Sequence, residues 1–334
     1  MPGAHESDRA SSFVNRLLRL IPLAAASLLL AVVATPAAAL EVGMGDQRSR
    51  MFADPRFQQL DITRVRIVVD WDVALVDGPE RARLDEWLAT ARTTGREPLI
   101  AFTDSRGRPR YLPAVSEYEQ AFVAFAERYP WVRLYTTWNE ANLASQPTAK
   151  SPERVAGYYD LIRSRCADCT VVAGDVLDQG GMIAWIERVR QAAASEPTLW
   201  GVHNYVEVHR PERAGTTARL LASVPGRVWL TETGGIVSHV LANGRVSWAY
   251  DERRAATAVA RAFKVARSDP RIERIYLYQW SVDSYERWDS AFIGPRGDER
   301  PALGVLRAEL GGTAARLHCM RWRPRGALSM PCTR

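Results

Sequence analysis

From residue 40 onward, short runs of apolar and β-branched residues alternate with stretches whose apolar positions fall three and four apart. The runs lie at 41–45, 65–71, 98–103, 132–138, 170–174, 199–205, 228–233 and 275–280. Each is near-continuously apolar, as a strand covered on both faces must be. The intervening segments carry helical spacing: Leu84-Trp87-Leu88, Phe122-Phe125-Ala126, Val155-Tyr158-Tyr159-Ile162, Ile183-Ile186-Val189 and Ala258-Ala262-Val265. Strands separated by helices of this kind form parallel βα units. Eight units in about 270 residues match an α/β fold consisting of a single (β/α)8 TIM barrel. A doubly wound open sheet is the alternative. It calls for a glycine-rich phosphate loop after the first strand, where Gly43-Met44-Gly45-Asp46 supplies only part of one.

The N-terminus reads differently. Arg16 and Arg19 precede an apolar run over 20–34, and small residues follow as far as Ala39. A basic start, an apolar middle and an A-x-A end form a secretory signal, here 1–39, with cleavage leaving Leu40 first. The run is short for a membrane span and Pro22 interrupts it, although an uncleaved anchor is the structural alternative. Residues 40–312 then form the barrel, and 313–334 an Arg-rich tail. The expected location is outside the cytoplasmic membrane, secreted or on the cell-envelope exterior, with no stable membrane insertion after cleavage.

Composition narrows the classes further. Of 334 residues, 47% are hydrophobic and 25% charged, which is globular rather than disordered. The net charge of +6 comes almost wholly from arginine, since only Lys150 and Lys264 are lysines. No polybasic run interleaved with aromatics is present, so a nucleic-acid partner is not expected. A monomer is expected. The four cysteines all lie in the exported part. An oxidising compartment favours disulfides, with Cys166–Cys169 and Cys319–Cys332 the preferred pairing of three. A redox C-x-x-C or half a zinc site is the other reading, without a second C-x-x-C or a spaced His pair to support it.

Active sites of barrels sit at the C-terminal ends of the strands. There the fourth strand closes on Trp138-Asn139-Glu140, the sixth on His203-Asn204-Tyr205, the seventh on Thr231-Glu232-Thr233 and the eighth on Gln279-Trp280-Ser281, while Arg66 lies in the second. Strands four and seven face each other across the mouth, so Glu140 and Glu232 can converge. Paired carboxylates are what glycoside hydrolysis needs: one protonates the leaving oxygen, the other attacks the anomeric carbon or activates water. Arg66 and Tyr205 are candidates to keep the attacking group ionised. Taken singly, Glu140 could be a helix first-turn carboxylate and Glu232 a buried salt-bridge partner. Trp87, Trp185 and Trp229 read as packing. Asp46, Asp70 and Asp104 are subsite residues or loop caps. The long loop at 233–251, with His239 and Trp248, is a subsite wall or a packed surface loop.

Trp138-Asn139-Glu140-Ala141-Asn142 resembles the W-N-E-P-N signature of clan A glycoside hydrolases, with Ala141 where proline is usual. Residues 228–234 resemble the second motif of that clan, closest to families 39 and 5. The resemblance spans residues 40 to about 312. It implies a retaining enzyme with Glu140 as acid/base, Glu232 as nucleophile and carboxylates about 5–5.5 Å apart. It further implies that Asn139 binds the sugar 2-hydroxyl, Tyr205 hydrogen-bonds the nucleophile, His203 and Arg66 support the site, and Trp280 lies under the reacting sugar. Trp138 is counted with the substrate-binding residues. No cofactor and no metal are expected, and the partner is a carbohydrate. A catalytically inactive glycan-binding barrel is the alternative, since a fold by itself proves no activity.

Overall fold

The computed structural model describes residues 40–283 and 286–311. The signal at 1–39, the tail at 313–334 and the Cys319–Cys332 pair lie outside the described residues. Barrel strands are β1 (Glu41–Gly45), β2 (Arg64–Asp70), β3 (Glu97–Thr103), β4 (Leu134–Thr136), β5 (Thr170–Val172), β6 (Asp175–Leu177), β7 (Leu199–His203) and β8 (Arg227–Thr233). Two short strands, β9 (Ser238–Val240) and β10 (Val246–Trp248), precede the last barrel strand, β11 (Ile272–Tyr278), and β12 (Trp288–Asp289) follows it. The helices are α1 (Pro55–Gln58), α2 (Pro79–Thr93), α3 (Val115–Arg128), α4 (Pro152–Arg165), α5 (Met182–Ala192), α6 (Tyr205–His209), α7 (Thr216–Ser223), α8 (Glu252–Ala266) and α9 (Pro301–Glu309).

The large sheet is parallel throughout, in the order β5-β4-β3-β2-β1-β11-β8-β7-β6. Its two ends, β5 and β6, are consecutive pieces of one strand interrupted at Ala173-Gly174. Ladder bonds cross the interruption. Ala173 N–H donates to Leu199 O at 2.9 Å, and Asp175 N–H donates to Trp138 O at 3.0 Å. The sheet therefore closes into the (β/α)8 barrel that the periodicity predicts, with its fifth strand split.

Amphipathic helices wrap it. In α8, Ala255, Ala258, Val259, Ala262, Phe263 and Ala266 form one buried stripe at helical spacing, and Asp251 caps the start by accepting from Arg254 N–H at 2.9 Å. Inside the barrel, Leu99, Leu134, Val172, Leu199, Trp229 and Tyr276 form an apolar layer, each from a different strand. Below it, Arg64 and Arg274 pair with Glu41 and Glu97. This explains why β11 begins at Ile272 rather than at the expected 275: Glu273 and Arg274 belong to the strand, and the Arg274 guanidinium lies 4.2 Å from the centre of the Trp229 ring.

Gly43 and Gly45 have a packing role instead of forming a phosphate loop. They lie opposite Tyr276 and Tyr278 across the β1–β11 ladder. A Cβ at Gly43 would overlap the Tyr276 ring. Cys166 and Cys169 form a disulfide with Cα atoms 5.3 Å apart. Among the described residues no helix is long and apolar enough to cross a membrane.

Candidate active site

The placement of Glu232 depends on a break in strand alternation. In β8, Trp229 points into the inner apolar layer, and Thr231 lies against Gly201 on the same inward side. Strict alternation would send Glu232 outward to the helices. The pairing with β7 slips instead: Gly201 lies opposite Trp229, but His203 lies opposite Glu232. The pairing with β11 slips over the same stretch. One extra residue on β8 is a β-bulge, and it turns the carboxylate into the mouth.

Arg66 then meets it. Rising from the middle of β2, its Nη1 donates to Glu232 Oε2 at 2.7 Å. Its Nη2 donates to Asn139 Oδ1 at 2.7 Å and to Asp175 Oδ2 at 2.8 Å. Arg66 and Asp175 are both fully buried as a charged pair. Burial alone would raise the Asp175 carboxyl, but Arg66 and His203 outweigh it and hold it below the usual range. Tyr205 O–H donates to the other Glu232 oxygen at 3.2 Å. Burial and the Glu232 charge push the Tyr205 phenol well above its ordinary range, so it remains a neutral donor.

Glu140 sits just past β4 with a left-handed backbone, φ 49°. For a non-glycine residue this costs about 1–2 kcal/mol. Two backbone bonds hold it, Ala141 N–H to Asp175 O and Leu143 N–H to Glu140 O, each 2.8 Å. Backbone strain that the surroundings enforce is typical of functional positions. His203 bridges the site: Nδ1 lies 3.2 Å from Glu140 Oε1, and Nε2 faces Asp175 Oδ2 at 3.5 Å. Burial pulls the imidazole down, yet the Glu232 charge and the hydrogen bonds to Asp175 and Glu140 push it up to about 9.

A carboxylate oxygen of Glu140, one of Glu232 and a ring nitrogen of His203 all lie within 4.8 Å of one another. This is metal-site spacing, but Arg66 and Tyr205 already occupy the two Glu232 oxygens and His203 Nδ1 faces Glu140. The arrangement suits hydrogen bonding. Cys166, Asp168 and Cys169 form a second such group, whose sulfurs are spent in the disulfide.

Glu140, Glu232, Asn139 and Tyr205 open onto a cavity of about 820 Å³. Arg66 and His203 lie buried directly beneath it. Thus six of the eight expected site residues come together, and two do not. Trp138 is 0% exposed; its ring stacks on Tyr158, and Nε1 donates to Gln146 Oε1 at 2.9 Å. Trp280 is 1% exposed, packed against Phe57, with Nε1 donating to Asp54 Oδ2 at 3.0 Å. The last barrel strand ends two residues earlier than expected, so Tyr278 rather than Trp280 lines the cavity.

The aromatic wall comes from elsewhere. Strands β10, β9 and β12 form an antiparallel sheet over the mouth, with Trp248 and Trp288 each paired to His239. All three side chains line the cavity, so the 233–251 loop is a wall of the site. Trp288 meets Tyr205 edge-on at 5.0 Å. Asp70 and Asp104 cap loops by accepting backbone N–H from Arg106 and Arg110. Asp46 likewise accepts from Arg48 and Ser281 N–H, and burial raises it to about 6. Asp175 and Asp178 went unpredicted. A charge directly after the apolar run 170–174 was the available signal for Asp175. Asp178 accepts Val206 and Glu207 N–H and is raised by burial to about 7.

No family model and no curated protein matches the chain in sequence. Solved structures match its fold. A family 39 glycoside hydrolase from the gut symbiont Bacteroides cellulosilyticus WH2 aligns with TM-score 0.55 and 13% identity over 83% of this chain. The chain spans 64% of that protein, less than two thirds of its length. Xylanase 10B from Thermotoga maritima aligns with TM-score 0.59 and 9% identity, covering 82% of this chain and 95% of that one. A GH5_18 variant from Streptomyces cattleya in complex with Manb1-4GlcNAc aligns with TM-score 0.57 and 14% identity, covering 86% and 83%. These neighbours are clan A glycoside hydrolases. At such identities the likeness is one of fold.

Proposed function

We propose that the chain is a retaining glycoside hydrolase with Glu232 as nucleophile and Glu140 as acid/base. The observation that carries this reading is the approach of the two carboxylates within 4.8 Å. An inverting pair needs about 6.5–9.5 Å to seat a water between acid and base, whereas a retaining pair stands closer. Glu232 receives hydrogen bonds from a guanidinium and a phenol, one to each carboxylate oxygen, which fixes the group in place for attack.

Glu140 protonates the glycosidic oxygen as Glu232 attacks the anomeric carbon, the C–O bond breaks and the aglycone alcohol leaves. Water then attacks the glycosyl–Glu232 ester, giving its proton to Glu140 and freeing Glu232. Asn139 Oδ1 is occupied by Arg66, so its amide N–H groups are the part available to a sugar hydroxyl. We place the enzyme outside the cytoplasmic membrane on the strength of the 1–39 pattern and the Cys166–Cys169 disulfide, acting on a polysaccharide or oligosaccharide.

The test is release of reducing ends from a broad glycan panel by the native chain, Glu140→Ala and Glu232→Ala. Hydrolysis with retained configuration, lost in both variants, is expected. Turnover surviving in both would overturn the assignment. Binding without hydrolysis by the native chain would make it a glycan-binding barrel. N-terminal sequencing of exported protein checks for a mature start at Leu40.

A further inference from the structure

One wall of the cavity carries positive charge without a carboxylate partner among the described residues. Trp248, His239 and Trp288 stand side by side across β10, β9 and β12. Two inter-strand steps make this row about 10 Å long, room for roughly two sugar rings. At Trp248 the guanidinium of Arg210 lies 5.3 Å from the ring centre. Arg287, next to Trp288, uses Nε on Val240 O at 3.4 Å, leaving its outer nitrogens free of protein acceptors among the described residues. Both arginines line the cavity, both are exposed, and neither has a carboxylate partner among the described residues. Of the acids lining the cavity, Glu286 is taken by Arg48 and the buried Asp178 by backbone N–H groups, so neither neutralises these two guanidiniums.

We propose that this wall is a subsite for a negatively charged glycan, with Arg210 at the Trp248 end and Arg287 at the Trp288 end each placed to take a carboxylate, sulfate or phosphate, and the Trp288–His239–Trp248 row stacking its rings. The proposal rests on the glycosidase reading and narrows its substrate to an anionic glycan. Guanidinium groups bind such oxyanions through paired N–H donors. Aromatic faces suit the apolar face of a pyranose, and Trp offers the largest. His239 supplies shape rather than charge, since burial and the neighbouring Arg287 lower its pKa.

Titration of tryptophan fluorescence with matched oligosaccharides tests this without depending on turnover. The set comprises neutral oligomers and oligomers bearing uronate, sulfate or phosphate, each at low and high salt. Anionic oligomers are expected to bind the native chain at least about tenfold more tightly than neutral ones, the worth of a charge-assisted hydrogen bond. The preference, read as the ratio of anionic to neutral binding within each protein, should weaken with salt and vanish in the Arg210→Gln/Arg287→Gln double variant. Which anionic arm binds best identifies the acidic group. Equal binding of neutral and anionic oligomers, or no binding of any anionic one, overturns the subsite. Reducing-end release is followed on the same oligomers. Anionic binding without release would uphold this subsite and overturn the glycosidase reading, while release from neutral glycans with no anionic preference would do the reverse.

Discussion

Arg66 Nη1 lies 2.7 Å from Glu232 Oε2, and the other arm of the same guanidinium holds Asn139 and Asp175. One side chain from β2 thus ties together residues just past β4, at the start of β6 and near the end of β8. Arg66→Ala takes the guanidinium from the buried Asp175 carboxylate and leaves it only the longer contact to His203, and denaturant unfolding should show a loss of about 3 kcal/mol or more. Arg66→Lys retains charge but not the fork. It should recover much of that stability while kcat remains depressed, by about 10²-fold if two charge-assisted hydrogen bonds are lost.

Tyr205→Phe removes one donor from Glu232 and nothing from the packing against Trp288. A hydrogen bond to a charged group contributes about 1.5–3 kcal/mol, so kcat/KM should fall roughly 10- to 100-fold. Thermal unfolding should move little. A Tm drop of many degrees with unchanged kinetics would mean the phenol is structural.

His203 sits at about 9, above its ordinary 6.5, so the folded state binds more protons than the unfolded chain between those values. Its contribution is fully present below about 6.5 and lost as pH rises to 9, with a slope of up to about 1.4 kcal/mol per pH unit. Asp178, raised to about 7, acts in the same direction between about 4 and 7. Denaturation across pH should show stability declining over both windows. His203→Gln should flatten the upper one and Asp178→Asn the lower.

Gly201 faces the barrel interior beside Asp175, and a methyl there would overlap Asp175 Oδ1 and press on Thr231 Oγ1 at 2.6 Å. Gly201→Ala should therefore displace the partner of Arg66 without touching any group that meets substrate. Activity should fall by an order of magnitude or more in chain that is still folded by circular dichroism, because misplacement of about 1 Å costs about 10²-fold.

The tryptophans separate by role. Trp288→Ala should raise KM with a small effect on Tm, since its ring is part of the cavity wall. Trp280→Ala removes a ring buried between Phe57 and Phe292 and should cost about 3–5 kcal/mol of stability. A KM effect at Trp280 with Tm unchanged would return it to the sugar-binding set.

Strand positions were legible because parallel barrel strands are apolar on both faces, and each run of that kind in the chain became one. That Glu140, Glu232, Asn139, His203 and Tyr205 lie near one another was legible because they close apolar runs, and Arg66 stood out as a charge inside one. Trp280 was misplaced for a local reason: aromatic residues at 278 and 280 both suit a strand end, and the chain turns away between them. The β9–β10–β12 sheet was not legible, because strands of two or three residues carry no periodicity, and its partners come from loops far apart in sequence. Asp175 was missed because the fifth strand continues beyond the apolar run after its break at Ala173-Gly174.

The bulge in β8 makes the identity of the residue presented to the mouth a matter of reading frame. In Leu230-Thr231-Glu232-Thr233, the carboxylate reaches the mouth only because one residue is surplus to the ladder. Even pairing of this stretch at its present length would turn Glu232 to the helices and deliver Thr233 to the centre. Deleting Leu230 or Thr231 removes the surplus residue instead, so Glu232 follows Trp229 by an even step, stays opposite His203 and keeps its inward face. The side on which the carboxylate emerges is therefore set by the bulge and the residue count together: changing either alone exchanges its face, and changing both leaves it in place.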